Sequence, residues 1–135
     1  MSNCTVLSGN YMIESADFKG IFLTAENGSI CLQSKNPHSV QVWKLAANEA
    51  NWVNFLGVPP DGTEGKVIGA NMANFTLVYG GGMLEDFQLE NDANDTFRVT
   101  FEYYDLGHYW QIVDGKSLSF TINLTYAAKW KLIEC

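Results

Sequence analysis

Basic residues are scarce in this 135-residue chain: eight Lys and Arg stand against fifteen Asp and Glu, for a formal net charge of −7. That excess repels phosphate backbones and anionic headgroups, so neither nucleic acid nor a membrane surface is an expected partner. Long apolar runs are also missing, and none approaches the ~18 residues that mark a membrane-spanning helix. The opening MSNCTVLSGNYMIES has no basic stretch followed by an apolar one. The expectation is therefore a cytoplasmic protein, or one released without a classical signal peptide. The three cysteines, Cys4, Cys31 and Cys135, lack metal-type spacing and are expected to be free thiols.

The residues that catalysis needs are equally sparse. His38 and His108 are the only imidazoles, and neither sits in a nucleophile motif. YGGGM at 79–83 has no lysine and no strand–helix context for a phosphate loop. Glu85 and Asp86 are adjacent, so on a strand they would point to opposite faces and could not act on one bond. ENDAND at 90–95 is acidic, but it lacks the glycine and closing glutamate of a calcium loop. No catalytic residue, metal or cofactor is expected.

What the chain does contain is apolar and aromatic residues, 47% and 13% of the total, enough for one globular domain with a proper core. VQVWKL at 40–45, LEDFQL at 84–89 and AAKWKL at 127–132 read as one strand ending written three times, with Trp43, Phe87 and Trp130 spaced 44 and 43 residues apart. Such a period marks repeated units that need one another to complete a core. Each unit opens with an aromatic stretch (9–15, 51–57, 95–104), continues with two short apolar runs, and closes with the aromatic-x-Leu ending. The middle runs are 20–25 and 29–34, then 65–70 and 74–79, then 109–115 and 117–124. Polarity alternates, with Gly, Asn, Asp or Pro between runs, which predicts an all-β fold of twelve short strands in repeats 9–46, 47–90 and 91–135. The only helix-friendly stretch, ANEANW at 47–52, is too short to stand alone.

Twelve strands in three repeats of about 43 residues resemble the β-trefoil, and Gln41-Val42-Trp43 resembles the Q-x-W motif of ricin-B-type lectin domains. YWQIVDGKSLSF with KWKLIE further on looks like the short leaderless lectins and lectin-like proteins of mushrooms. The resemblance covers about Gly9 to Ile133. It implies that Trp43, Phe87 and Trp130 occupy equivalent core positions, as do Tyr11, Trp52 and Phe97, and that the motif's glutamine ties its repeat together. Glu85 and Ala128 replace that glutamine in the other two repeats. Three functions follow from the family: a glycan-binding lectin, a mycocypin-like protease inhibitor, or a non-sugar-binding subunit docked on a larger enzyme such as tyrosinase.

A sugar site needs an aromatic face and fixed hydroxyl partners. The first repeat has Thr24 and Ala25 where the lectin acid would stand, and VIGANM in the second has no acid. The third has Asp114 and Asn123, beside the densest aromatic stretch, YYDLGHYW at 103–110. The expected carbohydrate site is Tyr103, Tyr104, Asp105, His108, Asp114 and Asn123, with the turn at Asp105-Leu106-Gly107. A glycan is the expected ligand, with a protein partner under the alternatives; the inhibitor reading would use GVPPDGTEG at 57–65, where paired prolines restrict the free loop. Five Asn-x-Ser/Thr sequons, at Asn3, Asn27, Asn74, Asn94 and Asn123, read as Asn-rich loop composition. Pairing of the first and last strands should bring Cys4 towards Cys135 as two nearby free thiols, with Cys31 buried in its strand.

Overall fold

A computed structural model of the chain describes residues 8–48, 50–92 and 95–135. It contains twelve strands: β1 (Ser8–Ser15), β2 (Ile21–Glu26), β3 (Ser29–Ser34), β4 (Val42–Ala47), β5 (Trp52–Gly57), β6 (Ile68–Asn71), β7 (Thr76–Tyr79), β8 (Phe87–Asn91), β9 (Phe97–Tyr103), β10 (Leu106–Val113), β11 (Ser117–Thr121) and β12 (Trp130–Glu134). The first and last strands of the three repeats close a six-stranded antiparallel ring, with pairings β1–β4, β4–β5, β5–β8, β8–β9, β9–β12 and β12–β1. The middle strands form three hairpins, β2–β3, β6–β7 and β10–β11. These hairpins touch one another through β3–β7 and β11–β3. A closed barrel capped by three hairpins is a β-trefoil, and closure leaves the ring without an edge strand.

The closing aromatics are all buried: Trp43, Phe87 and Trp130 lie in the core. The register fixes their partners as Tyr11, Val53 and Phe97. This corrects the expectation for Trp52, which is one residue out of step with Tyr11 and Phe97. A strand alternates faces, so one residue of slip turns a side chain from core to surface. On β5, Val53, Phe55 and Gly57 point inward, while Trp52, Asn54 and Leu56 face out.

The same register equates Leu23, Ile68 and Trp110, all fully buried. The bulk of Trp110 is accommodated beside Phe87, the smallest closing aromatic, at a ring separation of 5.1 Å. It also meets Phe55 at 5.1 Å and Trp130 at 6.2 Å. Threefold symmetry thus holds for the backbone and is broken in the packing.

Gln41 is buried and does what the motif implies. Its Oε1 accepts from Asn36 N–H at 2.8 Å, and its Nε2 donates to Thr24 Oγ1 at 3.0 Å and to Ser34 O at 2.9 Å. Trp43 Nε1 donates to Leu23 O at 3.1 Å. In the third repeat the equivalent carbonyl, Trp110 O, accepts instead from Ala128 N–H at 2.8 Å. Among the described residues Trp130 Nε1 has no partner. Trp43→Phe should therefore be costlier than Trp130→Phe by about 1 kcal/mol, the net worth of one hydrogen bond. Urea unfolding of the two variants checks this, and equal costs would contradict it.

Three sequence-based placements change. β10 begins at Leu106, before the expected 109, and residues 124–126 form a 3-10 turn instead of extending β11. Asn123 caps that turn by accepting from Thr125 N–H at 2.9 Å, so the chain leaves the strand. Glu85 and Asp86 precede β8 and belong to no strand. Cys31 is half-buried, not fully buried; burial and then Glu26 push its thiol pKa up, against a hydrogen bond from Gln33. Cys135 is free and exposed, and its N–H donates to Asn10 O at 2.9 Å across the β1–β12 seam. Cys4, with the segment Thr5–Leu7, lies outside the described residues.

Candidate functional site

The third-repeat aromatics are built on a two-residue hairpin. Leu106 pairs with Tyr103, leaving Tyr104 and Asp105 as the turn, with φ of 52° and 62°. Two successive positive φ values are the requirement of a type I′ turn, whose twist matches the flanking strands. The turn therefore lies one residue earlier than expected. At its tip Tyr104 is 87% exposed. Its ring packs edge-on against Tyr103 at 4.5 Å, and Tyr103 in turn meets His108 at 6.2 Å. The Tyr103 phenol is pushed above its usual range by burial and by the Tyr104 hydroxyl beside it. Asp105 stands next to Tyr104, exposed.

His108 does not join this surface. Starting β10 at Leu106 turns position 108 inward, so the ring is 7% exposed and stacks on Phe101 at 5.2 Å. Its Nδ1 lies 2.8 Å from Leu106 O, which fixes Nδ1 as the protonated nitrogen. Asp114 is also separated, in the β10–β11 turn with φ of 55°. The eight residues of β10 put it at the far end of that strand from Tyr104, roughly 25 Å away at strand rise. Asn123 follows β11 at the same end as the tyrosines, past the Tyr109–Thr121 pair, but its Oδ1 is committed to the Thr125 cap. Ile122 and Leu124 on either side of it in the chain, and Tyr126 three residues on, are exposed. Of the six expected residues, the fold keeps Tyr103, Tyr104 and Asp105 together at the hairpin tip, with Tyr104 and Asp105 exposed and Tyr103 half-buried beneath them against the core.

Two other candidate features take definite form. The loop 57–65 is pinned at both ends, by Gly57 N–H to Lys66 O at 2.9 Å and Val58 N–H to Val42 O at 2.8 Å. Asp61 accepts from the Thr63 hydroxyl at 2.7 Å and from Thr63 N–H at 3.0 Å, and both bonds lower its pKa. All three prolines, Pro37, Pro59 and Pro60, meet there beside a cleft of about 490 Å³. The acids of 90–95 that the structure describes are partly engaged: Glu90 and Asp92 hold Arg98 at 2.8 and 3.0 Å, and Asp92 also reaches Lys129 at 3.1 Å.

The feature that sequence reasoning missed is Trp52. Turned outward by the register, it lines a cleft of about 460 Å³ with Asn48, Asn54, Asp86 and Ala46. Its alternation with the inward Val53 and Phe55 was the available signal, but the aromatic spacing masked it.

No family model and no curated protein matches the sequence. Similar solved structures include a chain of a mosquitocidal holotoxin, aligned over 99% of this chain with a TM-score of 0.75 at 13% identity. They also include hisactophilin, whose structure is similar to interleukin-1β and fibroblast growth factor, aligned over 94% with a TM-score of 0.65 at 15% identity. The chain spans 18% of the holotoxin chain and 99% of the hisactophilin chain. At such identities the likeness speaks for architecture alone: this chain is a β-trefoil.

Proposed function

We propose that the protein is a carbohydrate-binding module of the ricin-B-like trefoil kind, working by binding and not by catalysis. The observation that carries this reading is the tip of the β9–β10 hairpin. Tyr104, a large aromatic, is held 87% exposed at a position whose φ of 52° disfavours it. Non-glycine residues at positive φ are uncommon and costly, which points to selection for something other than stability. Tyr103 supports the ring from the side, and Asp105 supplies acceptors for hydroxyl groups within one residue. An apolar shelf next to a carboxylate is what a pyranose requires. The buried, triply bonded Gln41 adds support for the ricin-B kinship.

Tyr104→Ala should lower glycan-array signal at least tenfold and leave the melting temperature within a few degrees, since the side chain is outside the core. Binding equal to the parent's would refute the hairpin site.

The inhibitor reading keeps one specific support, the pinned loop 57–65, whose rigidity lowers the cost of entering an enzyme cleft. Inhibition of a papain-like or serine protease, lost on replacing residues 59–64 with Gly and Ser, would favour it over the lectin reading.

A further inference from the structure

We infer that the outer face of the second repeat carries a separate saccharide site, with Trp52 as its stacking platform and Asp86 and Asn54 as its hydroxyl partners. Two rows of side chains cross this part of the barrel: Trp52 lies opposite Gln88 on β8, and Asn54 lies opposite Ala46 on β4. The small side chain of Ala46 leaves the floor open, and the cleft of about 460 Å³ lies over it. Asn54 Nδ2 donates to Asp86 Oδ1 at 2.6 Å and to Glu85 O at 2.9 Å. Both of its donor hydrogens are thereby used, and the amide plane is fixed. Asn54 Oδ1 and the second Asp86 oxygen are the remaining acceptors of this pair, which lines the same cleft as the partly exposed Trp52.

The trefoil supplies its own comparison. The position of Trp52 is filled by Asn10 in the first repeat and Thr96 in the third; the position of Asn54 is filled by Met12 and Arg98. Arg98 is spent on Glu90 and Asp92. Among the described residues, only the second repeat joins an aromatic face, an oriented amide and a carboxylate. The wall carboxylate and the net charge of −7 select a neutral sugar over a uronic, sulfated or sialylated one. The site shares a ligand class with the proposed function but uses none of the hairpin's residues, so each can fail alone.

Trp43, Trp110 and Trp130 are buried, which leaves Trp52 as the one tryptophan open to a collisional quencher. Acrylamide quenching should be measured in the parent, Tyr104→Ala, Asp86→Ala and Asn54→Ala proteins, with galactose, mannose and N-acetylglucosamine as probes. At least one probe is expected to shield Trp52 in the parent and equally in Tyr104→Ala, and the Asp86 and Asn54 substitutions should each weaken that binding about tenfold. Either position alone gives the test if the other variant fails to fold. No shielding by any probe would overturn the proposal, as would shielding that survives both substitutions or disappears in Tyr104→Ala.

Discussion

Alanine at position 110 should lower the unfolding free energy by about 3–5 kcal/mol, the range for removing a large aromatic from a packed core. Trp110 touches the rings of Phe55, Phe87 and Trp130, so it ties the third repeat to the second in the core. Its indole N–H has no partner among the described residues, so the loss is one of apolar packing alone. Stability of order 0.05–0.15 kcal/mol per residue gives a 135-residue domain roughly 7–20 kcal/mol in all, and the substitution removes a large share. Urea titration reads the effect as a fall in midpoint at constant slope. Trp110→Phe should recover more than half of it, because Phe refills most of the space.

Gly69→Ala should cost about 3 kcal/mol, for a different reason. A Cβ on Gly69 would stand 2.6 Å from the Cα of Gly82. The obstacle is backbone, which cannot rotate away, so β6 and the chain before β8 must part. Gly81→Ala makes the control: it has φ of 77° and open space around it, so it carries only the left-handed penalty of about 1–2 kcal/mol. If the two variants unfold at the same midpoint, the close approach of 69 and 82 is not what holds this hairpin down.

The parts of the fold that were legible in the sequence are those governed by the repeat. Trp43, Phe87 and Trp130 recur at near-constant spacing because each must fill the same barrel position, and a periodic packing need leaves a periodic trace. Trp52 was misread because position 52 breaks that logic: the core residue there is Val53, and the tryptophan beside it serves the surface. His108 and the hairpin turn were misplaced together. Tyr-Asp is not the Asn-Gly or Asp-Gly pair that announces a type I′ turn, so the turn was set one residue late and the histidine was left outside. Asp114 and Asn123 lie close to the tyrosines in sequence, but a hairpin folds by pairing, which puts one at the opposite end of β10 and turns the other into a cap. Electrostatic detail was legible only as composition: the acids of 90–95 look like a free cluster until Arg98 and Lys129 are placed against Glu90 and Asp92.

The central claim, that this trefoil binds sugar through exposed aromatics outside its core, is tested most directly by amide and indole NMR spectra recorded while a neutral saccharide is titrated into the intact protein. The account predicts shifts concentrated at the backbone amides of Tyr103–Leu106 and at the Trp52 indole, with the buried indoles of Trp43, Trp110 and Trp130 unmoved. Spectra unchanged by galactose, mannose and N-acetylglucosamine, or shifts gathered instead along residues 57–65, would contradict it.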